Sequence, residues 1–205
     1  MKTIQNKFIA VEGVIGVGKT TLARLLAKQF QAKLVLEVVE ENPFLKEFYD
    51  DIEGKSFQTQ IFFLLSRYKQ MKKFFQTEMF RSNIVSDYIF MKDAIFANMT
   101  LNSDEIKMYN AIFPLLKEKI LQPDLVVYLY ADLDVIVKRI QKRDRSFERN
   151  IEVDYLKRLS NEYDNFFYNF DEFPVLKVDT NQVDFTKTTK QFDKLCTNIK
   201  KMLLK

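Results

Sequence analysis

The sequence predicts an α/β fold, a doubly wound five-stranded parallel sheet with helices on both faces. Three observations point to it. Short apolar stretches alternate with stretches of helical periodicity along the whole chain. One of them, LVVYLYA (125–131), is too apolar to face water on either side, as a central parallel strand must be. A glycine-rich stretch, GVIGVGKTT, sits at the first strand-to-helix junction. No repeat, low-complexity segment or linker interrupts the pattern, so the 205 residues read as one domain over 1–205.

KFIAVEG (7–13) reads as a buried strand that ends at glycine, and LARLLAKQF (22–30) has apolar residues at helical spacing. LVLEVV (34–39) is the second strand, its apolar run interrupted by Glu37. Pro43 opens a short helix, FLKEFYDD, and the spacing from Phe57 to about Met79 predicts a long one. NIVSD (83–87) is the third strand and ends in a carboxylate. Helices are expected over 88–99 and 103–121, with the fourth strand at 125–131. DVIVKRIQKR begins another helix, RDRSFERN (143–150) is a charged break, and 152–170 is helical again. PVLKVD (174–179) is the fifth strand, and a last helix runs to the C-terminus.

Composition narrows the chemistry. A net charge of +4 is too mild for a nucleic-acid binder but suits a small anionic ligand. The chain has no histidine, which excludes histidine metal sites, serine–histidine triads and histidine bases, so any general base is a carboxylate or a lysine. Its one cysteine, Cys196, excludes an internal disulfide and a cysteine-built zinc site. Neither a signal peptide nor a membrane-spanning run is visible, and a cytoplasmic protein is expected. The 20 phenylalanines read as core filling.

Three of the four glycines fall between Gly13 and Gly18. GVIGVGKT fits G-x-x-x-x-G-K-[ST] between a strand and a helix, the context that a phosphate-binding P-loop requires. Glycine lets backbone N–H groups approach phosphate oxygens, and the following helix adds its N-terminal dipole. Gly13, Val14, Ile15, Gly16, Val17, Gly18, Lys19, Thr20 and Thr21 are therefore expected on the phosphates of ATP. Lys19 can reach the β- and γ-phosphates, and the Thr20 hydroxyl can ligate magnesium.

With GVIGVGKTT, LEVVEENPF and the later elements in order, the chain resembles the deoxynucleoside kinase family, in particular its compact bacterial deoxyadenosine/deoxyguanosine kinases. The resemblance runs from Phe8 to the last helix. It implies a P-loop NTPase/nucleoside kinase-like three-layer fold with an arginine-bearing lid over about 143–150. It also implies magnesium- and ATP-dependent phosphorylation of a deoxynucleoside 5′-hydroxyl, with deoxyadenosine favoured, in nucleotide salvage, by a homodimer.

Its motifs imply roles residue by residue. Glu37 becomes the base for the 5′-hydroxyl, although the chain reads Glu37-Val38-Val39 where most members read E-P-V. Glu40 and Glu41 are nearby rivals expected to be solvated. Tyr49 falls on the sugar 3′-hydroxyl and Gln60 on the base. Arg67 follows two helical turns later on the same face. Gln58 is the alternative base reader, and Phe57 and Phe63 are expected in the core more than against the base. Asp87 keeps the carboxylate that suits magnesium or its waters. Tyr88 stands where members from higher eukaryotes carry an arginine, and Arg81 lies too early to replace it. Asp93 matches an aspartate that faces the base. Arg139, Arg143 and Arg145 match the lid arginines that neutralise a transferring phosphoryl group, and Glu148 matches a second residue on the 3′-hydroxyl. DTNQVD (179–184) is expected to cradle the adenine of ATP. The alternatives are a thymidylate-like nucleoside monophosphate kinase and a non-catalytic nucleotide-binding regulator. A phosphate acceptor would meet repulsion from Glu37 and Asp87, and a regulator leaves Glu37 and the arginines without a task.

Overall fold

The structure, a computed structural model, describes residues 4–39, 41–78, 82–187 and 189–204. Glu40, Met79 and Arg81 lie outside the described residues. Among those described, β1 (Phe8–Gly13), β2 (Lys33–Val35), β3 (Ile84–Ser86), β4 (Leu125–Tyr130) and β5 (Val175–Asp179) form one parallel sheet in the order β2-β3-β1-β4-β5. The connecting helices are α1 (Lys19–Gln29), α2 (Leu45–Phe48), α3 (Ile52–Glu78), α4 (Lys92–Thr100), α5 (Ser103–Lys117), α6 (Leu133–Arg143), α7 (Val153–Tyr168) and α8 (Thr189–Leu203). Successive side chains of a strand point to opposite faces, and all six residues of β1 are buried, so helices cover the sheet on both sides. The expected α/β architecture is the observed one.

Strand order locates the ligand crevice. After β1 the chain crosses to β2, and after β3 it crosses the other way to β4. The connections diverge between the neighbours β1 and β3, and open α/β sheets bind ligands outside the carboxyl ends of such a pair. The loop from Gly13 to Lys19 leaves β1 there, and Asp87 follows β3.

Of the boundaries that differ from the sequence expectation, three have a physical reason in the hydrogen bonds. The second strand stops at Val35 rather than 39, because the Glu37 N–H turns out of the ladder and donates to Asp87 Oδ1 at 2.7 Å. The helix expected from 88 begins at Lys92. Before it, the Ile89 N–H is held by Glu12 Oε2 at 2.9 Å, and the Ser86 hydroxyl donates to the Tyr88 carbonyl at 2.7 Å. The long helix starts at Ile52, five residues early, with Asp51 Oδ1 accepting from the Gly54 N–H at 2.9 Å as a cap would.

Glu12 fastens these parts together. It is fully buried in β1, where Oε1 accepts from the Gly13 N–H at 2.9 Å and from the Tyr163 hydroxyl of α7 at 3.1 Å. Burial raises its pKa, against the pull of Lys92 and Lys19. Tyr163→Phe removes one of these bonds and should cost about 1 kcal/mol, lowering Tm by roughly 2–4 °C for a chain of this size. Thermal unfolding checks it, and an unchanged Tm would show that Glu12 does not depend on α7.

Candidate active site

The loop after β1 is built by backbone geometry. Gly16 and Gly18 have φ of +84° and +110°, a region that other L-residues avoid. A Cβ at Gly16 would also stand 2.6 Å from Ile140 Cγ1, so α6 packs directly on the loop. Lys19 opens α1, and its ammonium donates to the carbonyls of Gly13 at 2.7 Å and Val14 at 3.1 Å. Burial and the nearby Lys92 lower its pKa to about 8, against the attraction of Glu12, Glu37 and Asp87. The Thr20 hydroxyl donates to Asp87 Oδ2 at 2.6 Å, while Oδ1 of the same carboxylate takes the Glu37 N–H. One buried aspartate thus ties the loop of β1 to the segment after β2.

A charge cluster lies beside this tie. Glu37 Oε1 accepts from Arg67 Nε at 2.8 Å and Nη2 at 2.5 Å, and Oε2 accepts from Lys92 Nζ at 2.7 Å. Arg67 Nη1 donates to Asp93 Oδ2. Burial opposes the charge on Glu37, but Lys92 and Arg67 outweigh it and hold the carboxyl well below the usual carboxylate range. Burial also opposes the charge on Arg67, and Asp93 and Glu37 keep it above its ordinary value. Asp93 is fully buried and pushed up to about 6 by desolvation, against the attraction of Arg67. Its Oδ1 has no hydrogen-bond partner among the described residues.

Two cavities meet at the loop. The smaller, of about 270 Å³, is walled by Glu37, Tyr49, Gln60, Arg67, Lys92 and Glu148 among others. The larger, of about 530 Å³, is lined by the loop, Arg139, Thr180, Asp184 and Phe185. Gly16, Lys19, Thr20, Arg143 and Arg145 belong to both walls. Asp93 lies behind Arg67 rather than in the wall, Arg139 reaches only the larger cavity, and Thr21 is exposed. Gln60 is buried and its Nε2 donates to Thr100 Oγ1 at 3.3 Å, whereas Gln58 is exposed. Phe63 lines the smaller cavity with the Arg67 guanidinium 4.7 Å over its ring. Tyr49 stands edge-on to Phe48 and Tyr155, with its pKa driven up by burial, Glu148 and Glu37.

Arg139 and Arg143 of α6 and Arg145 just beyond it are held differently. Arg139 clamps the loop to the segment after β5, donating to the Val17 carbonyl at 3.2 Å and the Thr180 carbonyl at 2.6 Å. Arg143, one turn on, pairs with both oxygens of buried Glu148 at 2.5 Å. Arg145 Nη1 lies 3.8 Å from Glu148 Oε1. A short 3₁₀ turn, Ser146–Glu148, brings that carboxylate inward.

Sequence reasoning missed Lys92 and Glu12. Each left a trace, charge inside an apolar run: Glu12 in FIAVEG, and Lys92 next to Asp93 in YIFMKDAIF. Tyr88, at the position of the absent arginine, is buried with its hydroxyl on Gln70 Oε1 at 2.5 Å, and Lys92 puts a second cation on Glu37 beside Arg67.

Known proteins are similar to this chain in sequence and in fold. The deoxynucleoside kinase family model matches residues 9–204. Deoxyguanosine kinase of Bacillus subtilis (strain 168) is 36% identical over 202 residues, 96% of this chain and 98% of that protein. Deoxyadenosine/deoxycytidine kinase of the same organism is 36% identical over 182 residues, 85% of this chain and 82% of that protein. Among solved structures, deoxyadenosine kinase from M. mycoides with bound dATP superposes with a TM-score of 0.80 at 28% identity, covering 92% of this chain and 98% of that one.

The lowered pKa of Lys19 has a measurable consequence. A triphosphate bound at the loop would favour the ammonium, so binding near pH 8 should take up roughly half a proton. Titration calorimetry in buffers of different ionisation enthalpy reads this uptake. Lys19→Met should abolish it, and the difference between the two proteins should vanish by about pH 6. Equal uptake in both near pH 8 would remove Lys19 as its source.

Proposed function

The chain belongs to the deoxynucleoside kinase family, and on that premise we propose that it transfers the γ-phosphoryl group of ATP to the 5′-hydroxyl of a 2′-deoxynucleoside, deoxyadenosine first. The observation that carries the proposal is Glu37, a carboxylate held ionised by Arg67 and Lys92 in the cavity that adjoins the phosphate loop. A neutral hydroxyl can donate to such a group, whereas a phosphate acceptor would meet Glu37 and Asp87 at close range. Arg67 offers such a phosphate little, because three of its nitrogens already donate to carboxylates.

In this reading ATP lies in the larger cavity, with its phosphates on the loop N–H groups and Lys19 and its adenine against the 179–184 loop. The nucleoside fills the smaller cavity. Glu37 orients the 5′-hydroxyl and receives its proton, and a loose transition state asks for little proton abstraction early. Arg139, Arg143 and Arg145 offset charge on the transferring group. Tyr49 and Glu148 take the 3′-hydroxyl, one as donor and one as acceptor. Gln60 reads the base, and Asp93 bears on it from behind Arg67. Deoxyadenosine is put first on the family resemblance and the likeness to the M. mycoides kinase.

Thr20 and Asp87 fit magnesium, since they bring hard oxygen donors to 2.6 Å of one another beside the phosphate loop. Bound there with the phosphates, the ion would supply charge neutralisation across them. A cytoplasmic homodimer completes the proposal. No helix among the described residues is long and apolar enough to cross a membrane. Met108, Ile112 and Leu115 form an exposed apolar stripe on α5 that suits a second copy.

An ADP-release assay with magnesium–ATP tests the acceptor against deoxyadenosine, deoxyguanosine, deoxycytidine, thymidine and their monophosphates. Turnover is expected on the nucleosides, highest on deoxyadenosine, and absent on the monophosphates. Turnover on monophosphates alone would overturn the proposal. Glu37→Gln should lower kcat by roughly 10²–10⁴-fold while nucleoside still binds, and a near-normal kcat would remove Glu37 as the base.

A further inference from the structure

In the scheme above Lys92 does no more than help keep Glu37 ionised, yet it is a lysine taken almost wholly out of water at the wall of the acceptor cavity. It opens α4, and its ammonium stands 2.7 Å from Glu37 Oε2 and 5.6 Å over the Phe96 ring. Burying a lysine is costly unless its charge is met, and Lys92 spends that cost on one particular oxygen.

The choice of oxygen matters. A carboxylate offers about four acceptor positions, two on each oxygen. Arg67 directs two donors, Nε and Nη2, at Glu37 Oε1, whereas Oε2 takes one, from Lys92. The less occupied oxygen is therefore Oε2, the one that Lys92 holds. We propose that Lys92 is a positioning residue of the acceptor site: it shares Oε2 of Glu37 with the incoming hydroxyl and fixes where on the carboxylate that hydroxyl docks.

This rests on the proposed function and deepens it. In the step concerned, a lone pair of the 5′-oxygen forms the bond to the γ-phosphorus. The bond from that phosphorus to the β,γ-bridging oxygen breaks, and its electron pair leaves on ADP. The hydroxyl proton passes to Oε2. Lys92 touches no atom of either substrate in this step and acts only through Oε2. Without it Oε2 would lose its fixed direction, and a misplacement of about 1 Å at a reacting centre can cost about 100-fold in rate.

The experiment measures kcat and both KM values for the wild type, Lys92→Met and Lys92→Arg, each also in the Glu37→Gln background, with Tm as the control for folding. Lys92→Met should lower kcat by about 10- to 100-fold and leave the KM for ATP within about threefold. Lys92→Arg keeps a cation on Oε2 and should recover most of the loss. In the Glu37→Gln background, Lys92→Met should cost less than about twofold further, because the effect travels through Glu37. If Lys92→Met fails to fold, Lys92→Arg alone reads the coupling: its smaller change in kcat should appear with Glu37 present and disappear with Gln. A loss of equal size in both backgrounds, a wild-type kcat in Lys92→Met, or a loss confined to the KM for ATP would overturn the role. An active wild type with any of these leaves the proposed function standing. A wild type silent on every nucleoside overturns that function, and this role with it.

Discussion

Everything around the acceptor cavity depends on a balance of buried charge. Glu37 and Asp93 face Arg67 and Lys92 with almost no water to help. Removing such ions from solvent costs several kcal/mol each, and their attraction repays it only when geometry and hydrogen bonds are good. The cluster is therefore weak evidence for stability. What it does supply is location. Arg67 comes from α3, Lys92 and Asp93 from α4, and Glu37 from the segment after β2. Moving any one of the three leaves an unpaired charge in a dry wall, so each holds the other two in register.

The second constraint is that the phosphate loop and the acceptor wall share parts. Asp87 receives the Thr20 hydroxyl with one oxygen and the Glu37 N–H with the other. Lys19 and Arg143 line both cavities. A displacement of the loop is thus felt at Glu37 through a single side chain. Glu12 does the same work from beneath, bonding the start of the loop, the turn before α4 and the side of α7. These ties run across the crevice between β1 and β3, where the strand order leaves the sheet open.

Much of the fold was legible in the sequence because its signals are local. Apolar runs, helical spacing and the glycine loop each depend on residues within a few positions of one another. Two of the unread boundaries depend on distant partners. Nothing in LVLEVV announces that the strand ends at Val35, because the group that draws the Glu37 N–H away is Asp87, fifty residues on. The turn before α4 likewise exists because Glu12 holds the Ile89 N–H. Candidate site residues could be named where they formed a spaced series, such as Tyr49, Gln60 and Arg67, which the structure brings to one wall. Lys92 and Glu12 belong to no series. A charge in an apolar run marks them, but the sequence does not say which opposite charge they meet.

The same cluster bears on what kind of base Glu37 can be. A carboxylate held by a guanidinium and an ammonium is a weak proton acceptor. A mechanism that needed an alkoxide before phosphoryl transfer would be badly served by it. A loose transition state makes the opposite demand: the hydroxyl must point at phosphorus, and its proton becomes acidic only as the new bond forms. For that, a fixed and fully ionised acceptor is worth more than a strong one, since its position is set before the substrate arrives. Its weakness also helps afterwards, because a proton on Glu37 would sit beside two cations and leave readily. In such a wall the cations lower the basicity of the carboxylate and fix its direction at the same time, so orientation is gained at the expense of proton affinity.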